Sequence, residues 1–399
     1  MTRHRAQSAR GQPHPEQPGF VELLFDVVFV FAFTRFSERL VEQLTWFNFY
    51  ATMVLLLAMW WVWYRMAWTT NRYDPQRPVI KLMVIATMLA SLLMAAALPN
   101  ALREYDRGLV FASIYVAVQT LRHLWLVLLG GDRTAQLVSL RIFFWALISA
   151  VSWIAGIFSQ GGARLAWWSV AVALDYAGGL LDFPTPRLGR AGLRSQTVGG
   201  EHLTERYRQL LIIALGETIL VSGIQFSPYA FEGDRTAALI ISFVITVLLW
   251  QIYFYRAGEL LPTAIAVSRA PARVGELASY AHLIMVAGVS LSAVGAKLTI
   301  AHPFGKTTTA WVVVILGGPA LFLVGRALLD FTAFSHVSWS RPIGLLLLAA
   351  LLPAVLRLPL VLVAVVAAAV LAGIAVANLI SWRIFPSVPG PPTNRPAYD

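Results

Sequence analysis

Cysteine is absent from the 399 residues, which excludes disulfide staples and thiolate chemistry without fixing a compartment. Charged residues are scarce at 13%, well under the quarter that an ordinary soluble domain carries. Missing too are the ten-residue alternating segments that a transmembrane β-barrel needs. No phosphate loop, dinucleotide glycine fingerprint or serine elbow occurs; the segment ALGETI, residues 214–219, lacks the serine and the flanking glycines. HExxH is absent, and the i, i+3 pair His202 and Glu205 has no second ligand cluster, so neither metal nor cofactor is expected. No small-residue cleavage site follows the first apolar segment, so a cleaved leader is not expected.

What is abundant is apolar: 58% of residues are hydrophobic, including fourteen Trp, and mean hydropathy is +0.68. Apolar runs near membrane-crossing length recur from end to end, because about twenty helical residues cover a ~30 Å hydrocarbon core. The pattern predicts an all-α polytopic integral membrane protein with about twelve spans. They cover residues 20–44, 47–68, 79–98, 109–129, 140–158, 165–181, 207–226, 236–257, 277–298, 308–328, 342–356 and 359–382. Pro353 and Pro359 threaten to break the last pair into re-entrant pieces. Residues 1–19 are polar and proline-containing and are expected to be disordered, and 383–399 form a tail.

The net charge of +11 sits in short loops, where it sets topology rather than marking a nucleic-acid partner. With the N-terminus inside, twenty Lys and Arg fall on inner segments and eight on outer ones. Both termini are therefore expected in the cytoplasm, and the membrane is expected to be the plasma membrane. The expected partners are membrane lipid and an unidentified small molecule or ion.

The second half echoes the first at an offset near 190 residues: WWVWYRMA from Trp60 pairs with WQIYFYRA from Trp250, and Arg122 and Arg326 fall at similar depth. Two parallel six-helix halves, 20–182 and 205–382, are expected, joined by an inner linker at 183–204 rich in Gly, Pro and Arg.

One stretch organises the rest. FVELLFDVVFVFAFTRFSERL, residues 20–40, puts Glu22, Asp26, Phe29 and Phe33 on one helical stripe. Charge in a bilayer is costly, so that stripe must turn to protein or a wet cavity. Further groups expected inside the membrane are Asp175, Asp182, Glu205 and Glu217 among the acids and Arg122, His123, His282 and Arg326 among the bases, with Asp175 and Glu217 near mid-span. They either line a cytoplasm-facing cavity for a substrate or proton, or form ion pairs such as Asp26 or Glu205 with Arg122 or Arg326. Gly216 beside Glu217 would let a neighbouring backbone come close at that depth. The aromatic residues from Trp60 to Trp68 and from Trp250 to Tyr255 read as an interfacial belt.

Together VELLFDVVFVFAFTRFSERL and HLTERYRQLLIIALGETIL resemble the signature segments of the bacterial low temperature requirement protein A (LtrA) family, over about residues 18–385. The resemblance implies a polytopic inner-membrane protein and marks Glu22, Asp26, His202, Glu205, Arg206, Gly216 and Glu217 as functional candidates. It leaves the mechanism open. A proton-coupled permease is the first reading. A membrane-embedded enzyme acting on a lipid or isoprenoid through paired carboxylates, or a non-transporting sensor or assembly protein, are the alternatives.

Overall fold

The computed structural model describes residues 18–129, 133–192, 198–229, 231–255, 257–305 and 307–384. Most of the expected disordered N-terminus, the tail and part of the linker lie outside these. Thirteen α-helices follow one another: α1 (Phe20–Glu42), α2 (Trp46–Arg72), α3 (Pro78–Ala97), α4 (Tyr105–Leu129), α5 (Arg133–Ile157), α6 (Gly161–Leu180), α7 (Gly200–Phe226), α8 (Gly233–Phe254), α9 (Ala257–Val267), α10 (Pro271–Ala301), α11 (Thr309–Phe334), α12 (Ser340–Val355) and α13 (Leu360–Ile384). Local chemistry sets many of the starts. Thr45 caps α2 by accepting from the Asn48 N–H at 3.2 Å, Thr308 caps α11, and prolines open α3 and α10 where no N–H is needed.

Nine of the described helices are long and apolar enough to cross a membrane: α2 to α5, α7, α8, α10, α11 and α13. Helices also form over the other three expected spans, but each falls short for a physical reason. Glu22, Asp26 and Arg35 crowd α1; α6 spends its length on Arg164, Asp175 and four glycines; the 16 residues of α12 reach only about 24 Å. Pro353 does not split α12, because it sits in the last turn, and α9 is a short helix that the hydropathy pattern did not mark.

The chain folds as two compact units, residues 1–36 with 45–203 and residues 37–44 with 204–399. In the first, α4 packs between α3 and α5, α5 packs on α6, and α6 on α2. Arg164 pins this unit from within: it is 1% exposed and donates to the carbonyls of Gly156, Ile157, Ser159, Ala101 and Glu104. The sequence alone marked it only as a loop base.

In the second unit α10 is the centre, with α8, α9, α11 and α13 against it. It meets α11 backbone to backbone. A Cβ added at Gly288 or Gly318 would run into the facing main chain, and one at Gly325 would lie 2.7 Å from Ala281 O. Small residues that let helices touch this closely are how bilayer-embedded helices gain contact where lipid competes for apolar surface. Elsewhere apolar faces stay open, as at Leu82 and Leu89 on α3 and Ile240 and Phe243 on α8. Those faces suit lipid contact.

Candidate functional site

Glu22 stands in the first turn of α1, where its Oε2 accepts the Gly19 N–H at 2.9 Å and completes half of a capping box. The same oxygen lies 3.2 Å from His202 Nε2 near the start of α7. The far side of that ring is fixed by Asn71 at the end of α2. Asn71 Oδ1 accepts from Gly199 N at 3.2 Å and its Nδ2 donates to Gly199 O at 2.8 Å, which sets the amide's direction. Nδ2 also lies 3.3 Å from His202 Nδ1, so Nδ1 is the acceptor and Nε2 carries the proton to Glu22. All three side chains are buried. One turn further along α1, the wholly buried Asp26 accepts from Trp63 Nε1 at 2.8 Å, beside the packed rings of Phe25, Phe29 and Phe33.

A second polar group lies in the same unit. Asp175 on α6 accepts from Tyr115 on α4 at 2.6 Å. On α4, Arg122 and His123 follow Gln119 at three and four residues, and each of the three is at most 3% exposed. Arg122 Nη2 donates to Gln119 Oε1. Arg122 Nε and Nη1 and both ring nitrogens of His123 have no hydrogen-bond partner among the described residues.

The second unit holds Glu217 midway along α7. It is wholly buried, takes one hydrogen bond from Ser37 to Oε1 at 3.0 Å, and its Oε2 has no hydrogen-bond partner among the described residues. The next residue, Thr218, lines a small cavity between α7, α8, α10, α11 and α13. Five hydroxyls face it: Thr218, Ser242, Thr246, Ser292 and Thr299. Each donates to the carbonyl four residues back on its own helix and so offers only oxygen lone pairs to an occupant.

Several expectations change here. Glu205 is not submerged: about a third of its side chain is exposed, and it pairs with Arg208 at 3.0 Å. His202, three residues before it, faces Glu22 instead. Asp182 sits in the loop after α6, where it accepts from Gly192 N at 2.9 Å. Arg326 pairs with Asp330, which also meets Arg341 at 3.4 Å, and donates to the Ile252 and Tyr255 carbonyls at the end of α8. It therefore anchors a helix end. Arg206 is wholly buried on α7. His282 is satisfied, with Nδ1 donating to Ala278 O and Nε2 facing the Tyr253 hydroxyl at 2.9 Å.

Nothing described lies within 4 Å of a Cβ at Gly216, so the close approach falls instead at Gly288, Gly318 and Gly325. Trp60, Trp61 and Trp63 are buried in the first unit rather than forming a belt: Trp61 packs on Tyr176 of α6, Trp60 on Trp63, and Trp63 donates to Asp26. Sequence reasoning missed Asn71, Trp63, Ser37, Asp330 and Arg341 as partners. Trp63 and Ser37 gave no signal, while Asp330 at i+4 from Arg326 did.

Helices of crossing length with buried carboxylates and arginines define a polytopic helical membrane protein. The family model for the bacterial low temperature requirement A protein (LtrA) matches residues 18–376, and the chain belongs to that family. It is also similar to Uncharacterized protein RA0937 of Rhizobium meliloti (strain 1021), at 34% identity over 335 residues, covering 83% of this chain and 81% of that one. No solved structure matches.

Proposed function

We propose that this protein is a permease in which Glu217 exchanges a proton during the transport of a small solute. The carrying observation is the Glu217 carboxyl itself, wholly buried in a crossing helix with a hydrogen bond to one oxygen only among the described residues. An ionisable group at that depth is costly, and such groups cluster on ion and proton paths. The neighbouring hydroxyl-lined cavity supports the reading, since lone pairs directed at an occupant suit a water or a protonated species.

We read the chain as two related halves with both ends in the cytoplasm of a plasma-membrane protein. The offset of the aromatic segments, the burial of both Arg122 and Arg326, and the inner excess of arginines support this.

The test uses proteoliposomes loaded with a pH-sensitive dye and challenged with a panel of amino acids, small carboxylates and phosphate. At least one solute should evoke proton movement that falls tenfold or more in Glu217→Gln and persists in Glu217→Asp. Silence across the panel, or the same response in Glu217→Gln, overturns the reading.

A further inference from the structure

We infer that the stretch of α4 around Arg122 and His123 is a binding site for a small oxyanion, a carboxylate or a phosphate. Arg122 is the base of that site, and its surroundings are short of acceptors. Its Nη2 is used by Gln119, but Nε and Nη1 have no hydrogen-bond partner among the described residues although the side chain is only 3% exposed. Nη2 keeps a second N–H after its bond to Gln119, and with the Nε or Nη1 beside it the guanidinium retains one two-donor edge that matches the two oxygens of a carboxylate or phosphate.

His123, one residue on and 2% exposed, is bare at both ring nitrogens among the described residues, so it can add a third donor to the same guest. Three other buried bases, Arg164, Arg326 and His282, are served differently. Arg164 and Arg326 are surrounded by carbonyls or a carboxylate, and His282 has a partner at each nitrogen. Each unmade hydrogen bond is costly in a membrane interior, so several bare donors on neighbouring residues favour a guest that would take them.

The charges around Arg122 point to the sign of the guest. Arg65 lies within electrostatic reach of Arg122 and repels it, and Asp175, also in reach, offsets one of these two positive charges, so the three groups together stay positive. A water would fill the donors but leave the repulsion; an anion meets both. This site is in the first unit and does not depend on the proton role of Glu217 in the second.

Binding can be read at equilibrium on the full-length protein, without any transport assay. Titrations with inorganic phosphate and with acetate at constant ionic strength test the free anion. Nanodiscs with and without phosphatidate test a lipid headgroup as the source. The expected result is saturable binding of one of these probes, weakened tenfold or more in Arg122→Lys, which keeps the charge but loses the fork, and weakened further in Arg122→Gln. His123→Ala should weaken it severalfold. Should Arg122→Gln not fold, the wild-type titration with Arg122→Lys decides alone. Absence of saturable binding for all three probes, or unchanged affinity in Arg122→Lys, overturns the assignment.

Discussion

His202 Nε2 reaches Glu22 Oε2 at 3.2 Å across 180 residues of chain, with Asn71 holding the other side of the ring. Both side chains are buried, so the contact joins a carboxylate oxygen to a ring nitrogen away from water. Glu22→Ala and His202→Ala should each destabilise the protein. The double variant should be less damaging than the sum, with a coupling of about 0.5–3 kcal/mol in thermal melts. Additive losses would show that the contact contributes nothing.

Asp26 and Trp63 are coupled in the same way one turn deeper. Trp63→Phe keeps a large ring but removes the indole N–H that Asp26 Oδ1 accepts at 2.8 Å. Leaving a buried acceptor short costs about 1–3 kcal/mol, to be read as a lower melting temperature in detergent. A melt identical to wild type would remove the bond from the stabilising set.

Glycines sort by what faces them. Gly288→Ala pushes a Cβ into the main chain of α11 and should destabilise by about 1–3 kcal/mol. Gly216→Ala meets nothing within 4 Å and should be neutral or gain up to about 1 kcal/mol of helix propensity. The two variants compared in one melting series check both signs.

Arg164→Lys tests the carbonyl clamp. An ammonium cannot serve groups spread over Gly156, Ile157, Ser159, Ala101 and Glu104 as a guanidinium fork does. A loss of roughly 3–5 kcal/mol is expected, seen as a sharp fall in monodisperse yield and melting temperature. Wild-type behaviour in Arg164→Lys would mean that charge alone holds this corner.

Much of the helix plan was legible, because hydrophobic runs of crossing length carry a strong signal and Pro and Gly mark their ends. The helices α1 and α6 also fall where spans were read, but their charges and glycines keep them out of the set apolar enough to cross. The candidate site was legible as a set of residues: Glu22, Asp26, Asp175, Arg122 and Glu217 are all buried, as composition required of acids and bases in apolar runs. Their partners were not. Ser37 with Glu217 and His202 with Glu22 are each 180 positions apart, and no spacing rule reaches that far. Glu205 misled because it sits three residues before Arg208 on a turn that is still partly open to solvent.

At Gly288 and Gly318 the main chains of α10 and α11 meet directly, with no room there for one helix to ride over the other. They are expected to move as a single rod. Any working stroke of this bundle must be carried by the helices that lean on that rod, and cross-linking α10 to α11 should leave it unhindered.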